Sequence, residues 1–460
     1  MRRAGGWWAE GVAVAGVIAV ATAIFALPFR RATTIDEGVY LASLRELRHG
    51  ATLGTDVFSS QPPVFYRLLR AGALAFGDSL GGLRLAMLLV ALAGVAAAWL
   101  VGRQAGGSAA ALVAAGALVI AAPYADEAVL VESDTASVVC GLLGVGALFA
   151  ASRRRSPPLF ALAGALLVLA LAVKLLALPF VVALALLVVR RPSRREAAAL
   201  TAGAAAAAAL AAVAALPAAG AVWHDAVVFH FQTRTKGAWL GPNLRHVARL
   251  PDYRSVFGAI VFPAGAGAAA FVRRVRTPEI AVLWLIAGAA AIFLVLQNPL
   301  LDHHGAVLAA ALATAAGASL GRAARVRPLA FVAVGALLAL GAVQAGGRVA
   351  RGDDPEPPYV RWAEAEVRAH TKPGALVPTD LPQTVYLAGR RVPAKLADSS
   401  LARTDSGDLS RAEILDEVRR ADAPLVVVAR AYLTVPGLLR ELERMYPVRR
   451  ERPGAIVLAR

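Results

Sequence analysis

Residues 153–195 read RRRSPPLFALAGALLVLALAVKLLALPFVVALALLVVRRPSRR. Arginines close both ends, and two apolar runs, 158–173 and 175–190, meet at one charged residue, Lys174. A membrane-spanning helix needs about 20 mostly apolar residues. Each run is short for that, and together they read as two crossings joined at an outer tip. Working outward, the same alternation of apolar run and basic cluster continues. Further apolar stretches occupy 9–29, 81–102, 108–122, 135–151, 196–216, 256–272, 279–296, 305–320 and 329–346. That makes eleven candidate spans, rich in Ala, Leu, Val and Gly, a composition suited to close helix packing in lipid.

These runs account for the composition. Of 460 residues, 58% are hydrophobic and 17% are charged, and the mean hydropathy is +0.61. A soluble domain has about 45–50% apolar and about 25% charged residues. A simple soluble enzyme, a disordered chain and a fibrous protein are therefore excluded. One cysteine, Cys140, leaves no intrachain disulfide and no cysteine metal cluster.

The net charge of +17 invites a nucleic-acid reading, which the positions of the charges argue against. Arginine clusters at 2–3, 153–155, 190–195, 273–276 and 322–327 all fall on one side if the N-terminus is cytoplasmic. Loops 123–134 and 297–304, on the other side, contain no Lys or Arg. This is the positive-inside pattern. With eleven spans the C-terminal tail lies outside. The basic start Met1-Arg2-Arg3 fits a signal peptide, but the apolar stretch behind it is as long as a full span, so an uncleaved first helix is expected.

Three exterior pieces remain: loops 30–80 and 217–255, and a tail over 347–460. The expected architecture is an all-α polytopic membrane bundle over 1–346 with a small extracytoplasmic α/β domain over 347–460. In the tail, residues 359–370 read as a helix and 375–377 as a strand. Ser410 with Glu413 forms a capping box for a helix at 411–420. Residues 425–429 and 455–458 read as strands with a helix at 437–445 between them.

Ionisable groups at membrane level are costly and are the first functional suspects. Asp36-Glu37, with Tyr40 close by, stands just beyond the first span. A carboxylate there can take a proton from a hydroxyl nucleophile; equally, it can be a solvated loop acid or an N-terminal helix acid. Gln61-Pro62-Pro63-Val64-Phe65-Tyr66 stops one element and stiffens the next, and 64–76 can lie in the interface as a helix, with Arg67 and Arg70 near headgroups. Arg84 at the mouth of the second span suits phosphate oxygens, or snorkels. Glu132 and Asp134 precede the fourth span, as a second acidic site or as caps of that span, and a cap is the better reading for Asp134. Lys174 contacts an anionic head group or is a polar tip. Loop 217–255 carries His224, Asp225, His230, Arg234, Lys236, Trp239, Arg245, His246, Arg249 and Arg254, which suits a phosphate-bearing head group, or simply a basic surface near anionic lipid. Asp302-His303-His304 precedes the tenth span. Adjacent histidines on a helix do not share a face, so substrate contact, or capping by Asp302, is as good a reading as a metal site.

In this order the features resemble the GT-C superfamily of polyprenyl-phosphate-dependent glycosyltransferases. They are most similar to glycosyltransferase family 39, with its protein O-mannosyltransferases and lipid A aminoarabinose transferases. The resemblance covers mainly residues 10–190, and more loosely Asp302-His303-His304 and the tail. It implies that Asp36, with Glu37 beside it, is the catalytic base or acceptor anchor. Pro62-Pro63 and Tyr66 match a Pro-Pro-x-x-Tyr segment, Arg84 an arginine at the donor phosphate, and Lys174 the lysine of a Lys-x-x-x-Leu-Pro segment ending at Pro179. Two positions depart: Gln61 stands where Lys is frequent, and His304 where Tyr often follows His. The implied reaction is transfer of a sugar from a lipid phosphate to an acceptor hydroxyl, with inversion. Arg84, Lys174, Arg234 and Lys236 would offset the leaving phosphate, and Tyr40, Gln61, Tyr66, Glu132, Asp134, His303 and His304 would line the substrate site. The partners would be a polyprenyl-phosphate-linked sugar and a protein, lipid or glycan acceptor, in the membrane and without nucleic acid. Some members use a divalent metal; here the acids are too scattered along the chain to assign one. A secondary transporter and a non-catalytic scaffold or sensor are the rival readings.

Overall fold

The computed structural model describes residues 4–233, 239–251, 255–324, 327–351 and 356–460. The chain divides into two compact units that interleave in sequence. Unit 1 comprises 1–29, 84–213 and 235–352, and unit 2 comprises 30–83, 214–234 and 353–460.

Every secondary-structure element among the described residues of unit 1 is a helix. Among these, six helices are long and apolar enough to cross a membrane: Glu10–Arg30, Leu80–Gly106, Ser133–Arg154, Arg194–Ala215, Pro278–Leu296 and Asp302–Ala323. Shorter apolar helices fill the remaining apolar stretches, Ser108–Ile120, Pro157–Val173, Leu175–Arg190, Phe257–Phe271 and Val334–Gln344. Helices Ser108–Ile120, Ser133–Arg154 and Gly305–Ala323 form the buried centre, and small side chains let them approach closely. Arg194–Ala215 lies at the periphery, its Ala-rich surface open. The second half of the hairpin departs from a regular span: Leu175–Ala185 winds as a 3-10 helix and only Leu186–Arg190 is α-helical. Pro179 inside this segment has no N–H for an i−4 carbonyl, and its ring crowds that carbonyl, so the α-helical ladder cannot run through it.

Unit 2 joins the loop that follows the first apolar helix to the tail. Helix Ile35–Arg48 opens with a capping box, in which Thr34 Oγ1 accepts from Glu37 N and the Glu37 carboxylate accepts from Thr34 N. Helix Pro63–Phe76 starts at the expected Pro-Pro and buries Phe65, Tyr66, Leu69 and Ala73 on one face. The tail has helices at Pro358–His370, Arg411–Ala421 and Leu438–Met445, and a sheet of strands β1 (Leu425–Val428), β2 (Val448–Arg452) and β3 (Ala455–Ala459). The sheet order is β1-β3-β2, all antiparallel, with Leu425 opposite Ala459 and Arg452 opposite Ala455. The capping box of Ser410 and Glu413 is present.

Two readings of the tail are corrected. Residues 375–377 make only a bridge from Leu376 to Arg391 and no strand. Strand β2, Val-Arg-Arg-Glu-Arg, escapes a hydrophobic pattern because it is fully exposed at the sheet edge, where charge discourages further strand pairing. Pro453-Gly454, with Gly454 at φ +102°, makes the two-residue turn that returns the chain as β3.

The tail core packs onto helix Ile35–Arg48 through Ala42. Arg391 holds Glu46 with two hydrogen bonds of 2.8 and 2.6 Å, and Arg45 Nη1 donates to the carbonyls of Tyr386 and Arg390. A side chain at Gly38 would meet the backbone nitrogen of Gln383 at 2.5 Å, so this approach needs glycine.

Candidate active site

Unit 1 gathers a set of buried polar groups where helix Ser133–Arg154 begins. Glu132 takes the N-cap position without a side-chain capping bond. Asp134, 1% exposed, sits in the first turn, and its Oδ2 accepts from Lys174 Nζ at 2.6 Å. The expected cap by Asp134 is thus corrected. A carboxylate shut away from water needs a countercharge more than the helix end needs another acceptor. Lys174 is indeed a hairpin tip, in extended conformation after helix Pro157–Val173, and its ammonium is buried against Asp134.

His303 reaches both acids: Nδ1 lies 3.6 Å from Glu132 Oε2, and Nε2 lies 4.0 Å from Asp134 Oδ2. His304 meets His303 edge to face, centroids 4.5 Å apart. The Leu301 N–H donates to His304 Nδ1 at 3.3 Å, which leaves Nε2 as the other ring nitrogen. Residues 302–304 form a 3-10 turn, not part of the following α-helix, and this lets neighbouring rings converge. Asp302 does not cap: Leu301 holds the N-cap position, and the exposed Asp302 carboxylate lies 3.7 Å from His246 Nε2.

One ligand atom each from Asp134, His303 and His304 fall within 4.8 Å of one another. Asp134 Oδ1 is buried and accepts no hydrogen bond among the described residues. A carboxylate with two imidazoles is a donor set for a borderline divalent ion such as Zn²⁺. The residues fit such an ion, although the sequence spacing suggested no metal set. Arg84, 2% exposed, donates from Nη1 to the Phe29 carbonyl at 2.8 Å. Buried this way it is a fixed guanidinium and no surface snorkel.

In unit 2, Asp36 occupies the first helical turn, where the N-terminal dipole favours a carboxylate. Glu37 is fully buried and works in the capping box. Tyr40, Phe65 and Tyr66 form an aromatic cluster, with centroids 4.9 Å apart for Tyr40–Phe65 and 6.2 Å for Tyr40–Tyr66. The Tyr66 hydroxyl lies 3.2 Å from Ser60 Oγ, and burial pushes its phenol pKa well up, so it stays neutral. The Gln61 carbonyl accepts from Ser59 Oγ at 2.8 Å.

Within loop 217–255, Asp225 Oδ2 accepts from Ser59 N at 2.9 Å, and His224 Nδ1 lies 3.4 Å from Asp225 Oδ1. Burial raises the Asp225 pKa against the hydrogen bonds from Ser59 and His224. His230 Nε2 lies 3.1 Å from the Ser60 carbonyl. Arg403 of the tail, which sequence reading did not single out, lies over the Phe58 ring at 4.1 Å and donates to Asp408. No local pattern marks that arginine; only folding brings the tail beside the first loop. Trp239 precedes helix Leu240–Arg249, where Asn243 Nδ2 donates to the carbonyls of Val295 and Gln297. Arg234, Lys236 and Arg254 lie outside the described residues.

Comparison with known proteins gives the fold its relatives. A family model described as dolichyl-phosphate-mannose-protein mannosyltransferase matches residues 60–219. Among curated proteins, none matches the sequence. Similar solved structures include ArnT from Cupriavidus metallidurans bound to undecaprenyl phosphate, at TM-score 0.68 and 15% identity, covering 99% of this chain and 98% of that one. The archaeal oligosaccharyltransferase AglB from Archaeoglobus fulgidus, in complex with an inhibitory peptide and a dolichol-phosphate, matches at TM-score 0.52 and 12% identity, over 94% of this chain and 70% of that one. The arabinofuranosyltransferase AftD from Mycobacteria matches at TM-score 0.54 and 16% identity, over 97% of this chain and 39% of that one. The chain shares its fold with ArnT over nearly its whole length, combining helices long and apolar enough to cross a membrane with a small C-terminal sheet.

Proposed function

We propose that this chain is a membrane glycosyltransferase that moves a sugar from a polyprenyl-phosphate donor to an acceptor hydroxyl, with inversion at the anomeric carbon. The observation that carries the proposal is the cluster of Glu132, Asp134, Lys174, His303 and His304 in an apolar bundle whose fold matches ArnT along 99% of the chain. The undecaprenyl phosphate bound by ArnT and the dolichol-phosphate bound by AglB support a lipid-phosphate donor.

In this reading Asp36 takes the proton from the acceptor hydroxyl as it attacks, while Glu37 holds the start of its helix. Arg84 and Lys174 offset the charge that develops on the leaving lipid phosphate, with Arg234 and Lys236 as further donors of charge. Asp134 positions the Lys174 ammonium. Tyr40 and Tyr66 stiffen helix Ile35–Arg48, which carries Asp36, and helix Pro63–Phe76, which follows Gln61. Glu132, His303 and His304 contact substrate. A divalent ion held by Asp134, His303 and His304 would add positive charge near the phosphate. The bundle crosses the membrane eleven times, with the N-terminus cytoplasmic and the 347–460 domain outside.

The transporter reading is disfavoured by where charge is buried. Among the described residues of unit 1, Arg84, Glu132, Asp134, Lys174, Glu196, Glu279 and His304 all lie near helix ends. A secondary transporter places such groups near the bilayer midplane.

The test is a transfer assay in membranes, with radiolabelled polyprenyl-phosphate sugars offered to the wild type and to a folded Asp36→Asn variant. Wild-type transfer with about a 100- to 10,000-fold loss in the variant supports the proposal. Equal transfer by both removes Asp36 as the base. Failure of every donor with the wild type shifts weight to the transporter or scaffold readings.

A further inference from the structure

Helix Ser133–Arg154 has Asp134 at one end and Arg154 at the other, about 30 Å apart at 1.5 Å per residue. That is about the hydrocarbon thickness of a bilayer. At the Arg154 end, unit 1 has an open surface cavity of about 610 Å³ lined by Arg103, Arg153, Arg154, Arg322, Gly107 and Ser108, among others. A second cavity of about 490 Å³ shares Arg153 and Arg322 and adds Arg155 and Arg190. The transfer chemistry above uses none of these residues.

The charge here is poorly balanced. Arg103 pairs with Glu10, and Ser108 Oγ also donates to Glu10. Arg155 and Arg190 pair with Glu196 and Glu279. Arg153 and Arg322 instead donate to backbone carbonyls, Arg153 to Gln104 at 2.7 Å, and Arg322 to Arg274 at 3.0 Å and Ala105 at 3.3 Å. Those bonds hold the guanidinium groups in place without neutralising them. Among the described residues, Arg153, Arg154 and Arg322 have no acidic partner. In addition, helix Ser108–Ile120 starts at this cavity after Gly107 with no side-chain cap, so its leading N–H groups add to the positive potential. Three like charges around one cavity raise the positive potential there, and an anion that joins them relieves it.

We infer that this cavity binds the phosphodiester headgroup of an anionic phospholipid, through Arg153, Arg154 and Arg322. A phosphodiester suits guanidinium forks, which bind its oxygens in pairs. The lipid source is favoured over a soluble phosphate because the walls are ends of helices long and apolar enough to span a bilayer, Leu80–Gly106, Ser133–Arg154 and Asp302–Ala323. A headgroup held there keeps its acyl chains against those helices. Basic pockets between membrane helices are known lipid headgroup sites in general. The inference does not depend on the glycosyltransferase reading.

The experiment compares the full-length protein with two triple variants in mixed micelles. One is Arg153→Gln/Arg154→Gln/Arg322→Gln. The other, Arg191→Gln/Arg194→Gln/Arg195→Gln, removes the same charge outside the first cavity. Phosphatidylglycerol and phosphatidylcholine are titrated, and retained lipid is counted by native mass spectrometry. Thermal melting confirms that each variant is folded. The single variant Arg154→Gln, at an exposed arginine, covers the case in which the triple fails to fold. Selective phosphatidylglycerol retention by the wild type, lowered about tenfold or more by the cavity triple and little by the other, is expected. Arg154→Gln alone should lower it severalfold. Equal loss in both triples overturns the site in favour of general surface charge. Displacement of phosphatidylglycerol by millimolar inorganic phosphate overturns the lipid as the ligand.

Discussion

Lys174 ends helix Pro157–Val173 with its side chain buried. In the chain it is one charge between two apolar runs, and a tip that prevents their fusion would look the same. In the fold its ammonium is 2.6 Å from Asp134 Oδ2, and both groups are buried. A buried pair contributes little net stability, but removing one member strands the other charge. Lys174→Met should therefore cost about 3–5 kcal/mol. The double variant Lys174→Met/Asp134→Asn should recover much of that, since no unpaired charge is left. Thermal unfolding of purified protein in detergent gives both numbers. Equal destabilisation by the single and double variants would mean that the pair is not coupled in this way. The pair was not legible because Asp134 and Lys174 are 40 residues apart and each had an adequate local explanation.

At the scale of elements, the legible features were those with local causes. The Ser410–Glu413 capping box and the Pro-Pro start of helix Pro63–Phe76 appear as read, and among the described residues six of the apolar runs are helices long enough to cross a membrane. Pro179 announced the break in segment 175–190, yet hydrophobicity alone read through it. Strand β2 was signalled only by the turn at Pro453-Gly454, since its own residues are polar. The junction between helix Ile35–Arg48 and the tail had no local signal. It depends on Gly38, whose Cα faces the Gln383 backbone too closely for a side chain. Gly38→Ala should push this helix from the tail and cost about 1–3 kcal/mol. Helix propensity alone predicts the reverse, a gain of up to about 1 kcal/mol. Limited proteolysis and the melting temperature of the variant distinguish the two outcomes.

At the scale of the whole molecule, pH dependence of stability belongs to a folded unit, because it counts protons bound by native and unfolded chains. Asp380 is the clearest contributor in unit 2. Burial lifts its carboxyl to about 6, against hydrogen bonds from the Tyr432 and Ala429 N–H groups at 2.8 and 2.6 Å. The unfolded value is about 3.9. The folded pKa is thus raised, so the native state holds the proton more tightly. The associated stability is fully present below about pH 4 and lost as pH rises through about 6. Denaturant midpoints for the full chain should carry this slope, and Asp380→Asn should flatten it whatever its baseline stability. An unchanged slope in the variant would assign the titration to another group.

The sequence by itself determined the membrane class, the eleven apolar segments, the alternation of basic and non-basic ends and the mixed α/β tail. Hydrophobic patterning, helix capping and turn formation depend on residues near one another in the chain, and so can be read along it. Only the tertiary structure decided that Asp134 pairs with Lys174, that His303 and His304 converge on Asp134, and that helix Ile35–Arg48 packs with the tail. It also decided that Arg153 and Arg322 are held by carbonyls and stay unneutralised. A buried charge takes whatever partner the fold brings within a few ångströms, and the Coulomb energy that rewards the choice depends on distance in space and on the exclusion of water, not on separation along the chain.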